Sequence, residues 1–177
     1  MAYTFHCDSP LGGITLASNG TELTGLWFDG QKYFGSTLPK EHVEKPLRIF
    51  DQAMHWLELY FGGKDPGFIP PLCLNATPFR RAVWEILLQI PFGKTMTYGQ
   101  IAKKVAEQKG LLQMSAQAVG GAVGHNPISL IIPCHRVVGS DGSLTGYAGG
   151  IEKKQKLLAM EKADASHLFI PKKGTAL

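Results

Sequence analysis

The sequence predicts an α+β protein in which a strand-containing first part precedes a mainly helical second part. The first 30 residues alternate apolar and polar side chains as strands do, whereas later segments carry apolar residues at helical spacing. The balance of charge also changes sign near residue 75. We therefore expect an N-terminal α/β domain over residues 1–75, a C-terminal domain over 76–170 and a tail over 171–177.

Composition narrows the class of protein. The chain has 177 residues, of which 44% are hydrophobic and 18% charged, and this excludes a largely disordered chain. Its three cysteines are widely spaced and odd in number, which excludes a disulfide scaffold and suits a reducing cytosol. No apolar run approaches the roughly 18 residues of a membrane span. We expect a cytoplasmic protein with no membrane partner.

Each element of the first part has a local signal. Ile14 and Leu16 alternate with polar neighbours, and Asn19-Gly20 predicts a type I′ hairpin turn before a return strand over 23–28. The charged stretch 39–46, bounded by prolines, predicts an exposed loop. Apolar residues at helical spacing then predict a helix over 47–61, which the glycine pair at 62–63 ends.

The second part predicts a helix-turn-helix. Thr77 and Thr97 are typical helix caps, and the second of these helices is expected to end near Ala106. A short helix over 115–124 follows, and a last helix runs from Ile151 to about residue 163. Residues 76–136 carry seven Lys or Arg against two Asp or Glu, so we expect an anionic partner to meet this part.

Cys134 is the candidate nucleophile. The apolar run 128–132 leads to Cys134, next to an imidazole and a guanidinium that would raise its thiolate fraction. A buried, inert cysteine at a strand end is the alternative. Glu161 lies on the apolar side of the last helix and would orient His135, unless it is a surface glutamate. The sequence lacks the His and Cys spacings of a catalytic metal site, so we expect no metal there, while a metal at His6, Cys7 or Cys73 stays open.

The short helix over 115–124 has an unusual composition. Gly120 and Gly121 lie in its interior, where each glycine costs roughly 1 kcal/mol relative to alanine. Close approach of the helix backbone to a nucleic-acid groove would offset this cost, and so would tight packing against another helix. Gln117 is its one long polar side chain.

Six motifs in this order resemble those of the O6-alkylguanine-DNA alkyltransferases, also called methylated-DNA–protein-cysteine methyltransferases. They are Tyr98-Gly99, Ala118-Val119-Gly120-Gly121-Ala122, Asn126-Pro127, Pro133-Cys134-His135-Arg136-Val137, Gly146-Tyr147-Ala148-Gly149-Gly150 and Leu157-Leu158-Ala159-Met160-Glu161. Residues 1–75 carry none of these motifs and resemble the family's N-terminal α/β domain only in their general order of elements. The resemblance implies a ribonuclease H-like N-terminal domain and a winged-helix-like DNA-binding domain that contains the active site.

The resemblance also implies a function. The protein would flip an O6-alkylguanine, or an O4-alkylthymine, out of double-stranded DNA and move the alkyl group irreversibly onto its own cysteine. It would act as a monomer without a cofactor. The implied catalytic residues are Cys134 as acceptor, His135 as base through a water, Glu161 as its orienting group, Asn126 as a hinge and Tyr98 as proton donor. The implied DNA-binding residues are Tyr98, Gly99, Gln117, Ala118, Gly120, Gly121, Arg136 and Ser140, and the implied pocket residues are Val137, Tyr147, Ala148 and Gly149.

Two departures and two alternatives accompany the resemblance. Gln117 stands where well-known members carry the intercalating Arg, and the turn over 107–114 is longer than the family's tight turn. A lesion-sensing binding protein is one alternative, although such relatives lack the acceptor cysteine. The other is a cysteine hydrolase that pairs Cys134 with a distant histidine.

Overall fold

A computed structural model describes residues 1–172 and confirms the α+β class. The chain divides into two compact units. The first comprises Met1–Asn75 together with Pro127–Ile131, and the second comprises the rest of the described chain. The end of the predicted tail, residues 173–177, lies outside the described residues.

The first unit is built on a four-stranded sheet and one helix. Its strands are β1 (Ala2–Cys7), β2 (Ile14–Ser18), β3 (Leu23–Phe28) and β4 (His42–Glu44), in the order β3-β2-β1-β4. β1 is antiparallel to β2 and parallel to β4. Helix α1 (Arg48–Phe61) buries Phe50, Trp56 and Tyr60, and ends at Gly62 as predicted.

Two local predictions for this unit are wrong. The prolines at 39 and 46 enclose β4, which pairs with β1, rather than only a loop. The turn at Asn19 is not type I′, because Ser18 pairs with Leu23 and a four-residue loop remains between them. Asn19 Oδ1 accepts from the backbone N–H groups of Thr21 and Glu22 at 3.1 and 2.9 Å, and these bonds define the loop instead.

The apolar run before Cys134 does not form a strand that ends at the cysteine. Its first residues lie against β3, where the Leu26 N–H donates to the Pro127 carbonyl at 2.9 Å and the Ser129 N–H donates to the Leu26 carbonyl at 2.9 Å. Leu130 then has φ 69°, a left-handed conformation that ends extended backbone. The run therefore turns before it reaches the cysteine.

The second unit is mainly helical. Its elements are α2 (Pro78–Leu87), β5 (Met96–Thr97), α3 (Tyr98–Lys109), α4 (Ala116–Gly124), a 3-10 turn (Cys134–Arg136), β6 (Val137–Val138) and α5 (Ile151–Met160). The predicted caps are present: the Thr97 hydroxyl accepts from the Gln100 N–H at 3.1 Å, and Gln100 Oε1 accepts from the Thr97 N–H. α3 continues to Lys109 because Gly110, with φ 65°, ends it. In the part of the chain described, no helix has the length and apolar character needed to cross a membrane.

Candidate active site

Cys134 begins the 3-10 turn that follows the apolar run. Its side chain is 4% exposed, and its N–H donates to the Ile132 carbonyl at 2.8 Å. The turn leads directly into β6, which pairs in parallel with β5 through Met96 and Val137. Because β5 leads into α3, this short pairing holds the first residue of that helix, Tyr98, near the cysteine.

Burial and two neighbours determine the pKa of the thiol. Burial raises the pKa of Cys134, whereas a hydrogen bond from the Asn126 side chain and the positive charge of Lys154 lower it, and the net direction is upward. Asn126 Nδ2 also donates to the Ile132 carbonyl at 2.8 Å, which ties the end of α4 to the cysteine turn. The resting thiol is therefore protonated at neutral pH and requires a base to form the thiolate.

A buried ionic cluster lies beside the cysteine. His135 Nε2 is 3.2 Å from Glu161 Oε1, and neither side chain is exposed to solvent. Burial lowers the pKa of His135 despite the neighbouring carboxylate, so the ring is neutral at neutral pH. Burial alone would raise the pKa of Glu161, but hydrogen bonds from His135 and Arg136 and the positive charge of Arg136 lower it to about 2.

Arg136 supplies the second partner of Glu161. Its Nε donates to Glu161 Oε1 and Oε2 at 2.9 and 3.1 Å, and its Nη1 donates to the Ile90 carbonyl at 2.7 Å. The residue is only 8% exposed. We therefore revise the expectation that Arg136 contacts DNA, because its guanidinium is engaged inside the unit.

A surface cavity of about 750 Å³ lies between the start of α3, helix α4 and the loop over 139–146. This volume falls in the range typical of ligand sites. Six of the predicted DNA-binding residues line it: Tyr98, Gly99, Gln117, Gly120, Gly121 and Ser140. Ala118 is exposed on α4 but does not line the cavity.

The four predicted pocket residues do not line this cavity. Val137 and Tyr147 are buried, and the Tyr147 ring stands edge-on to the His135 ring with 6.4 Å between centroids. Ala148 and Gly149 are half-buried. Thr145 and Gly146, just before them, do line the cavity.

Comparisons with known proteins match both parts of the chain. The family model described as 6-O-methylguanine DNA methyltransferase, DNA binding domain, matches residues 78–163, and the ribonuclease-like domain of the same enzyme matches residues 1–73. A methylated-DNA–protein-cysteine methyltransferase from Mycobacterium tuberculosis is 44% identical over 158 residues, covering 89% of this chain and 91% of the relative. This chain belongs to the methylated-DNA–protein-cysteine methyltransferase family.

Other members and solved structures agree with this assignment. The Haemophilus influenzae methyltransferase is 40% identical over 90% of this chain and 86% of its own. The crystal structure of the M. tuberculosis O6-methylguanine methyltransferase has a TM-score of 0.77 at 42% identity, covering 98% of this chain and 97% of that one. A second M. tuberculosis structure, in complex with DNA, has a TM-score of 0.77 at 41% identity, covering 94% of each chain. These matches confirm the predicted family and both domain types.

Lys154 interacts electrostatically with Cys134 in the candidate site, and the sequence analysis missed it. It is fully buried on α5, and its Nζ donates to the Thr145 carbonyl at 2.7 Å. Tyr98 Oη donates to the same carbonyl at 3.1 Å. Burial lowers the pKa of Lys154 to about 8. A signal was available: Lys154 precedes Leu157 and Leu158 by three and four positions, on the apolar face that was used to find Glu161.

Changing Arg136 to glutamine should destabilise this methyltransferase without weakening its phosphate contacts. The substitution leaves the buried Glu161 carboxylate without its strongest partner, so we expect a loss of about 3 kcal/mol in unfolding free energy. Urea denaturation checks this value. The slope of log Kd against log salt for duplex DNA should be unchanged. A slope reduced by about one unit would show instead that Arg136 contacts a DNA phosphate.

Proposed function

We propose that this protein repairs DNA by moving the alkyl group of O6-alkylguanine onto its own Cys134, once per molecule. Membership of the family makes the chain a methylated-DNA–protein-cysteine methyltransferase with DNA as its partner. The acceptor residue, the single turnover, base flipping and action as a cytoplasmic monomer are our proposals. The observation that carries the choice of acceptor is the buried cluster of Cys134, His135 and Glu161 near Tyr98, which lines the cavity.

The first step forms the thiolate. A neutral His135 that donates from Nε2 to Glu161 keeps Nδ1 as its basic nitrogen. Nδ1 takes the proton of Cys134 through a bridging water, and Glu161 stabilises the imidazolium that results. The ammonium of Lys154 and the amide of Asn126 stabilise the negative sulfur.

The second step transfers the alkyl group. The thiolate forms a bond to the alkyl carbon while the bond from that carbon to O6 breaks, and its electron pair passes to the guanine. The leaving base then needs a proton. Burial and the charge of Cys134 raise the pKa of Tyr98 to about 12, so its hydroxyl remains protonated and can donate. The thioether product does not reverse, and each molecule therefore acts once.

The geometry of α4 supports base flipping. A Cβ added at Gly121 would meet no atom within 4 Å, and one added at Gly120 would only touch the Tyr98 ring at 3.9 Å. Packing inside this unit therefore does not require the two glycines. This favours the other explanation for them, the close approach of the helix backbone to a nucleic-acid groove. A flipped base costs a few kcal/mol of stacking, which contacts along a minor groove can offset. Gln117 lines the cavity and would fill the vacated position.

Mass spectrometry of the intact protein tests the proposal. After incubation with excess duplex that contains O6-methylguanine, we expect the wild-type mass to increase by one methyl group and no more. Digestion should place the methyl on the peptide that contains Cys134. An unmodified protein that still binds this duplex would instead support the lesion-sensing alternative and overturn the proposal.

Changing Tyr98 to phenylalanine should slow transfer by about 100-fold, the lower range for loss of a general acid. The ring keeps its packing, and only the hydroxyl that donates to the Thr145 carbonyl is lost. Single-turnover kinetics with methylated duplex at pH 7 give the rate. Affinity for unmodified duplex serves as the control, since a parallel loss of affinity would mean that the hydroxyl acts in DNA binding instead.

A further inference from the structure

We infer that the loop between α3 and α4 is a second DNA-contacting element, which packs on the sugar-phosphate backbone beside the lesion. The α3–α4 loop comprises residues 110–115. The inference rests on the proposed function, because it concerns the same bound duplex. It assigns a role to the long turn that the sequence analysis noted as a departure from the family.

The loop presents apolar side chains to solvent. Leu112 is fully exposed, at 106%, and Leu111 is 48% exposed. The start of the loop is held in place, because the Leu111 N–H donates to the Ala106 carbonyl at 2.8 Å and Gly110 adopts the left-handed conformation. Scattered exposed leucines need no explanation, but an adjacent pair on a held loop indicates a contact surface.

A second cavity, of about 320 Å³, lies between this loop and α3. Its lining includes the charged pair Lys103 and Glu107 and the leucines Leu111 and Leu112, together with Gly99 and Ala116. Gly99 and Ala116 also line the larger cavity. The two cavities therefore adjoin at these two small residues. A duplex that binds across the larger cavity would pass close to the smaller one.

The chemistry of this surface fits a nucleic-acid backbone. Deoxyribose rings offer apolar faces to the two leucines, and the neighbouring phosphate offers a negative charge to Lys103. Helix α3 carries Lys103, Lys104 and Lys109 against the single acidic residue Glu107. This excess of positive charge favours a polyanion over a second copy of this surface, which would bring like charges together.

Fluorescence anisotropy with an unmodified duplex tests the inference without requiring transfer. Leu112→Ser should raise Kd about fivefold, since a partly buried leucine contact is lost. Lys103→Gln should reduce the slope of log Kd against log salt by about one unit. The matched controls are Ile69→Ser and Lys64→Gln, exposed residues of the first unit, which should change neither quantity. Thermal melting should be the same for all four variants.

Hydroxyl-radical footprinting locates the contact. Wild-type protein should protect deoxyriboses to one side of the lesion position, and Leu112→Ser should lose that protection alone. An unchanged Kd and footprint for Leu112→Ser would overturn the inference, as would a change in sedimentation coefficient without a change in Kd. Failure of the proposed function would give a different result, namely that the wild-type protein is not methylated. The binding measurements would still decide whether the loop contacts DNA.

Discussion

Changing Cys134 to alanine should abolish alkyl transfer while leaving DNA binding within about twofold of wild type. The thiol is the only nucleophile that the described part of the second unit places among Asn126, Lys154 and the His135–Glu161 pair. Alanine removes only one sulfur atom from this buried site, so the cavity that it leaves is small and the fold tolerates the change. Serine should be equally inactive, since a hydroxyl is far less acidic than a thiol. Mass spectrometry after incubation with methylated duplex measures the transfer.

The other two cysteines provide matched controls. Cys7 and Cys73 are half-buried and lie in the first unit. Burial raises the pKa of Cys7, which makes it a poor nucleophile at neutral pH. Cys7→Ser and Cys73→Ser should each gain one methyl group at the wild-type rate. Methylation of Cys134→Ala at any other position would contradict the assignment of the acceptor.

Local signals in the sequence were sufficient to predict most helices. Thr77, Thr97 and Ser115 begin α2, α3 and α4 because each side chain accepts from a backbone N–H three residues later. A cap and its helix lie within one turn of chain, so a single sequence contains the whole interaction. The positions of β4 and of residues 127–131 depend instead on pairing with β1 and β3, which are distant in the chain, and no local pattern specifies those partners.

In the site, too, local sequence predicted some residues, whereas the environment of others depends on contacts that are distant in the chain. Cys134 and His135 are adjacent, and the apolar stripe of α5 identified Glu161 as a buried carboxylate. Neither the charge of a residue nor the family resemblance distinguished a buried cation from an exposed one here: the resemblance implied that Arg136 binds DNA, and Lys154 was not predicted. Both cations belong to the interior, where one pairs with Glu161 and the other donates to the Thr145 carbonyl.

Changing Glu161 to glutamine should lower both the stability of the protein and its rate of alkyl transfer. The carboxylate has a pKa of about 2 in the folded protein against an ordinary 4.5, a difference of about 2.5 units or about 3 kcal/mol. Because the folded-state pKa is the lower one, this stabilisation is fully present above about pH 5 and is lost as pH falls toward 2. Glu161→Gln should therefore unfold at lower urea at pH 7, and the difference from wild type should shrink at pH 3.

The same substitution should slow alkyl transfer by about 100-fold or more, since a glutamine amide does not stabilise the imidazolium that forms when His135 takes the thiol proton. Glu152→Gln is the control on the same helix. Glu152 is exposed and pairs with Lys156 at 3.0 Å, so its loss should leave both stability and rate nearly unchanged. If Glu161→Gln retained the wild-type rate in single-turnover kinetics, Glu161 would not stabilise the imidazolium of His135 during transfer, and that step of the proposal would be wrong.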